Sequence, residues 1–184
     1  MLLTICVILI IAVLIVIWGI GTQNKLVHSE ELCGNALSQI GVQQASRWDA
    51  LNALADLTKG YSDQEYNVLM DTISARRNVG SKTAAADAEK QEHLLAQSFG
   101  HINALAEAYP DLKSNTVYIQ TMASVRDYED KVRMSRMVYN DTVTKFNRMV
   151  RSFPASLIAD FLGYGIRDYF QDNPDKSDMP DMKR

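Results

Sequence analysis

The chain is poor in most residue patterns that carry chemistry. It has two cysteines in 184 residues, Cys6 inside an apolar stretch and Cys33 beyond it, which make neither a disulfide framework nor a zinc pattern. Its 19 Lys and Arg are scattered among 22 Asp and Glu, for a formal net charge of −3. A nucleic-acid footprint needs clustered basic residues, so that partner class is excluded. There is no glycine-rich phosphate loop, nucleophile elbow, paired-carboxylate motif or solenoid repeat. Proline and glycine are sparse, four and nine residues, and apart from Gly34, Gly41 and Gly100 lie near apparent segment boundaries. Between them Leu, Ala, Met, Glu, Asp, Lys, Arg and Gln dominate, a composition that favours helix.

What is present begins with Leu2 to Ile20, LLTICVILIIAVLIVIWGI, which carries no charge. As a helix it spans roughly 28 Å, close to the hydrocarbon thickness of a bilayer. A cleaved signal peptide has a basic flank, a shorter apolar core and a small-residue cleavage site, and all three are missing. The stretch therefore reads as an uncleaved single-pass anchor, with Trp18 and Lys25 at headgroup level. Lys and Arg near the two ends set orientation, and Lys25 alone tips the remainder towards the cytoplasmic side of a cell membrane. The organisation expected is an anchor over residues 1–21, a bundle over 22–170 and a polar, disordered tail over 171–184.

After the anchor the spacing is helical. Cys33, Leu37, Ile40, Trp48, Leu51 and Leu54 recur with a polar interruption at Gln44, up to the stop at Lys59-Gly60. Nothing but Gly21 would keep the anchor helix from running into this segment. Ser62 or Asp63 can cap a second helix, with Leu69, Met70 and Ile73 inward and Arg76-Arg77 in its last turns. A loop at Gly80–Thr83 precedes a third helix to about Ala108, with Leu94, Leu95, Phe99, Ile102, Leu105 and Ala106 on its apolar face, ended by Pro110. A fourth runs from about Ser114 to Ser152. Its seam is Tyr118, Met122, Val125, Glu129, Val132, Arg136, Tyr139, Val143, Phe146, Val150 and Phe153, a heptad pattern broken only by Glu129 and Arg136. The fold class expected is all-α: an N-terminal transmembrane helix, then an antiparallel bundle of long helices.

The runs Asn24-Lys25-Leu26-Val27, Ala36-Leu37-Ser38-Gln39-Ile40 and Lys59-Gly60-Tyr61, with Tyr109-Pro110-Asp111-Leu112-Lys113 and Tyr139-Asn140-Asp141-Thr142-Val143, carry a resemblance. The chain strongly resembles the LemA family of bacterial membrane proteins from about residue 20 to residue 170. The resemblance implies an N-terminal membrane helix, a bundle of long antiparallel helices and no established enzymatic activity. Two departures stand out. Gly41 replaces a usually acidic residue, and Asn52-Ala53 replace Pro-Asn, which puts a proline bend in the first long helix in doubt.

Glu129 and Arg136 are the most informative polar residues. They either line a polar site or pair across helices to fix register, Glu129 with Arg47 or Arg76 and Arg136 with Asp49. Asn140 and Asn147, also seven apart, read as buried amides bonded between helices. His93 and His101 sit two turns apart near Glu89, Glu92 and Glu107, without the spacing of a metal site, and read as surface histidines. The methionines Met122, Met134, Met137 and Met149 fill core or form an adaptable surface. In the stretch after Pro154, Leu157, Phe161, Tyr164, Tyr169 and Phe170 are candidates for contact with the bundle end, the membrane surface or a partner. The function expected is a membrane-tethered helical scaffold or adaptor at the bacterial inner membrane, without a cofactor. Its partners would be the bilayer through residues 2–20, an unidentified protein, and a second copy if the bundle oligomerises. The competing expectation is an enzyme or metal-binding domain built on polar residues inside the bundle.

Overall fold

The computed structural model describes residues 1–171, and among these the chain forms six helices and no strand. They are α1 (Leu2–Thr58), α2 (Asp63–Ser74), α3 (Ala85–Ala108), α4 (Pro110–Ser114), α5 (Thr116–Arg151) and α6 (Ala155–Leu162). The polar tail expected over 171–184 lies, apart from Gln171, outside the described residues.

The apolar run and the first long amphipathic segment are one helix. α1 has 57 residues and rises roughly 85 Å. No proline interrupts it, and a single helical glycine such as Gly21 costs only about 1 kcal/mol relative to alanine. Residues 2–20 are almost wholly exposed, and the most apolar window of α1 buries nothing against the rest of the chain. Burial starts at Thr22 and Leu26 and then follows a seven-residue register: Leu26, Cys33, Ile40, Arg47 and Leu54 in one column, Leu37, Gln44, Leu51 and Thr58 in the next. α5 answers with Tyr118, Val125, Val132, Tyr139 and Phe146, flanked by Val143 and Val150.

α1 and α5 are antiparallel. Leu26 to Ile40 share a core with Tyr139 to Val150, while Trp48 to Ala55 share one with Tyr118 and Val125. α3 runs parallel to α1, since Gln44 reaches Ala88 while Trp48 to Ala55 pack with Leu95 to Ala106. α2 returns along α1 from the turn at residues 59–62. Its start is capped by Ser62, whose Oγ accepts from the Glu65 N–H at 3.3 Å. α2 ends at Ser74, so Arg76 and Arg77 belong to the following loop and not to its last turns. The loop's backbone comes so close to α1 that a Cβ on Gly41 would lie 2.0 Å from the Val79 carbonyl oxygen. A side chain of any size is excluded there, which accounts for the glycine where the family resemblance expected an acidic residue.

Pro110 ends α3 and opens α4, a position where its missing N–H costs nothing. Asn115 caps α5, its Oδ1 accepting from the Val117 N–H at 2.8 Å. Gly163, with φ of 76°, stops α6 in the left-handed region and sends the chain back along α5 as an extended strap.

Candidate functional site

The core is not continuous. One apolar cluster gathers Leu26 to Ile40 with Tyr139 to Val150, and a second gathers Trp48 to Ala55 with Leu95 to Leu112, Tyr118 and Val125. Between them each long helix puts charge on its inward seam: Arg47 on α1, Glu92 on α3, Glu129 and Arg136 on α5. Arg47 stands in the leucine column of α1 and is 1% exposed.

The Arg47 guanidinium pairs with Glu92 through Nη1 and with Glu129 through Nη2, the latter at 3.2 Å. Glu92 also faces Arg136 Nη2 at 3.4 Å and accepts from Gln44 Nε2 at 3.2 Å. Gln44 donates to the Ala88 carbonyl as well, at 2.9 Å. Aromatic rings close both ends: Phe99 lies 5.5 Å from the Arg47 guanidinium carbon and Phe170 lies 4.7 Å from that of Arg136. Two cations thus meet two carboxylates, with an aromatic ring beside each guanidinium.

The expected pairing of Glu129 with Arg47 is present. That of Arg136 with Asp49 is not: Arg136 meets Glu92, and Asp49 instead binds Arg76 at 2.8 Å on the outside of the bundle. Asp49 points away from α5, on the opposite side of α1 from the seam. Glu92 and Gln44 are the members that the sequence pattern left unassigned. A signal for Glu92 exists, because it is the one charged residue in the α3 register Ala85, Ala88, Glu92, Leu95, Phe99, Ile102, Ala106. Four buried polar atoms have no partner among the described residues: Gln44 Oε1, Arg47 Nε, Trp48 Nε1 and Arg136 Nε. A cavity of about 190 Å³ beside Gln44 and Trp48 is bounded by Arg76 to Val79 and holds no carboxylate in its wall.

Asn140 and Asn147 do not bond to another helix. Each clamps the backbone of the strap. Asn147 Nδ2 donates to the Arg167 carbonyl and its Oδ1 accepts from the Arg167 N–H, both at 2.8 Å. Asn140 makes the same pair with Phe170, at 2.9 and 2.8 Å. The spacing fits: seven helical residues climb roughly 10.5 Å, and three extended residues cover roughly 10 Å. Arg167 adds an ion pair to Glu30 of α1 at 2.8 Å, and the Tyr139 hydroxyl donates to the Asp168 carbonyl at 3.0 Å. Burial raises the Tyr139 phenol pKa, opposed by the Arg167 charge, and burial likewise raises that of the Cys33 thiol.

The five apolar contact candidates divide. Phe170 is buried under Arg136, and Tyr164 packs edge-on against Phe146 at 6.3 Å. Tyr169 is exposed beside Thr144, while Leu157 and Phe161 face outwards, Phe161 at 89% exposure. Of the histidines, His101 pairs with Glu65 and His93 faces solvent. Among the described residues no group of three His, Cys, Asp or Glu is placed to hold a metal ion. Every carboxylate of the inner layer is matched by a guanidinium, which leaves no free general base there.

A family model described as "LemA family" matches residues 36–183. The protein LemA of Metamycoplasma hominis is 27% identical over 145 residues, covering 76% of this chain and 64% of the relative. Magnetosome protein MamQ 1 of Paramagnetospirillum magneticum is 29% identical over 80 residues, and MamQ of Magnetospirillum gryphiswaldense 27% identical over 80. Each of those alignments covers 44% of this chain and 29% of the relative. The chain thus spans less than two thirds of the length of these relatives.

Proposed function

Because this chain belongs to the LemA family and begins with an apolar helix, we propose that it is a single-pass membrane-tethered scaffold that binds other proteins at the bacterial envelope. The observation that carries the reading is α1, in which one helix supplies both the apolar run and the central member of the bundle. Such a molecule presents a rigid surface at a set distance from a bilayer. The charged layer, flanked by Phe99 and Phe170, serves as the register lock of that surface, since buried ion pairs fix alignment better than they stabilise. The protein-facing surface we assign is the outer face of α5, where Met134, Met137 and Val138 stand 59%, 62% and 48% exposed at helical spacing. Unbranched methionine adapts to varied partners. In this reading the bundle faces the cytoplasm, as Lys25 directs.

The test is photo-crosslinking from position 137 of the full chain in native membranes. A discrete adduct, lost on Met134→Glu, is expected. Absence of any adduct from that face would overturn the assignment. Protease access to the bundle in sealed right-side-out vesicles would reverse the orientation.

A further inference from the structure

We propose that α6, together with Phe153, is a second membrane-contact element that lies in the headgroup–acyl boundary beside the exit of α1. The inference rests on the anchoring of α1 and adds a lipid-facing surface to it.

The placement comes from three observations. First, α5 descends antiparallel to α1, so its C-terminal end approaches the apolar run, and α6 is where the chain turns before climbing back. Second, α6 touches α1 at the end of that run: a Cβ on Gly19 would sit 3.7 Å from Ile158 Cδ1. Gly19 adjoins Trp18 and is followed by the last apolar residue, Ile20, so this contact sets α6 at interface depth. Third, α6 presents its apolar side chains outwards. Ala159 is buried and Ile158 packs inwards, while Phe153, Leu157 and Phe161, four residues apart in turn, are 80%, 62% and 89% exposed. Leu162 and Ile166 are exposed as well, at 40% and 55%.

The occupant follows from continuity and charge. The patch adjoins a surface already destined for lipid, and cations ring the same end. Lys25, Arg148 and Arg151 are exposed, and none makes an ion pair among the described residues. An apolar stripe flanked by Lys and Arg is the pattern of a helix lying in the plane of the interface. Asp160, on the flank of the stripe, keeps the helix at headgroup level and out of the hydrocarbon centre.

The test uses the full chain in phosphatidylcholine and phosphatidylglycerol vesicles, with Cys6→Ser and Cys33→Ala. A polarity-sensitive fluorophore is placed by Phe161→Cys, Met134→Cys or Ile11→Cys, and lipids carry a nitroxide either near the headgroup or at the chain end. The position-161 probe is expected to be quenched about twofold or more over position 134, and more by the shallow nitroxide than by the deep one. Position 11 is expected to respond most to the deep nitroxide. If position 11 responds and position 161 matches position 134, lipid contact by α6 is refuted while the anchor stands. If position 11 fails as well, both fall. Energy transfer between position-161 probes on two copies, without lipid quenching, would assign the stripe to a second copy and overturn the proposal.

Discussion

Removing the charge of Glu92 tests the charged layer most directly. Glu92→Gln keeps the shape and leaves two guanidiniums facing one carboxylate, and it can turn an amide donor towards Arg47. At an effective dielectric of about 20, a pair at the 3.4 Å of Glu92 and Arg136 attracts by roughly 5 kcal/mol, most of it cancelled by desolvation. Loss of one partner is not cancelled in this way, because Arg47 stays 1% exposed with only the half-exposed Glu129 against it. The expected cost is about 3 kcal/mol, which for a chain of this size lowers Tm by roughly 6–12 °C. Thermal unfolding of the detergent-solubilised full chain, followed by far-UV circular dichroism, reads this directly. Arg47→Met with Glu92→Met removes both charges of the most buried pair and should lower Tm less than Glu92→Gln alone. If the double variant is the less stable one, or if Glu92→Gln shifts Tm by less than about 1 °C, the account of a layer held by mutual neutralisation is wrong.

Glu129→Leu, at a position 43% exposed in its side chain, should keep the fold and cost about 1 kcal/mol or less in the same assay. Asn140→Ala with Asn147→Ala should free the strap, and hydrogen exchange at the amides of Arg167 and Phe170 should rise while the middle of α5 stays protected. Gly41→Ala should cost roughly 1–3 kcal/mol, because its methyl meets the Val79 carbonyl, whereas Gly21→Ala meets nothing within 4 Å and should be neutral or stabilising in urea unfolding. Tyr139 has its pKa raised by folding, so its contribution is complete below the unfolded value near pH 10 and fades as pH climbs through the folded one. The advantage of the native chain over Tyr139→Phe, about 1 kcal/mol at neutral pH, should therefore shrink under alkaline denaturation.

Helix type and several ends are legible because each rests on local chemistry: the cap at Ser62, the stop at Lys59-Gly60 and the proline after Tyr109. The α5 seam was legible as well, since a seven-residue repeat identifies its own buried face, although Phe153 at its end is exposed. What a single segment cannot reveal is which helix lies opposite. Arg136 finds Glu92 because α3 lies across from it, and within α3 Glu92 is one acidic residue in a charged stretch. Asn140 and Asn147 announced their seven-residue spacing, but that their partner was an extended strap depended on where Gly163 turned the chain. Arg76 suits the dipole of a helix C-terminus, yet α2 closes at Ser74 and leaves it in the loop beyond.

With residues 2–20 in a bilayer, as proposed above, the unbroken helix α1 is also a lever. From Gly21 to Thr58 it reaches roughly 57 Å beyond the apolar run, without a hinge. A membrane span that tilts by about 20° would carry the far end sideways by roughly 20 Å. In that proposed anchoring, a change in bilayer thickness that alters the tilt of residues 2–20 is magnified at Lys59, Tyr61 and Tyr109, the end of the molecule away from the apolar run.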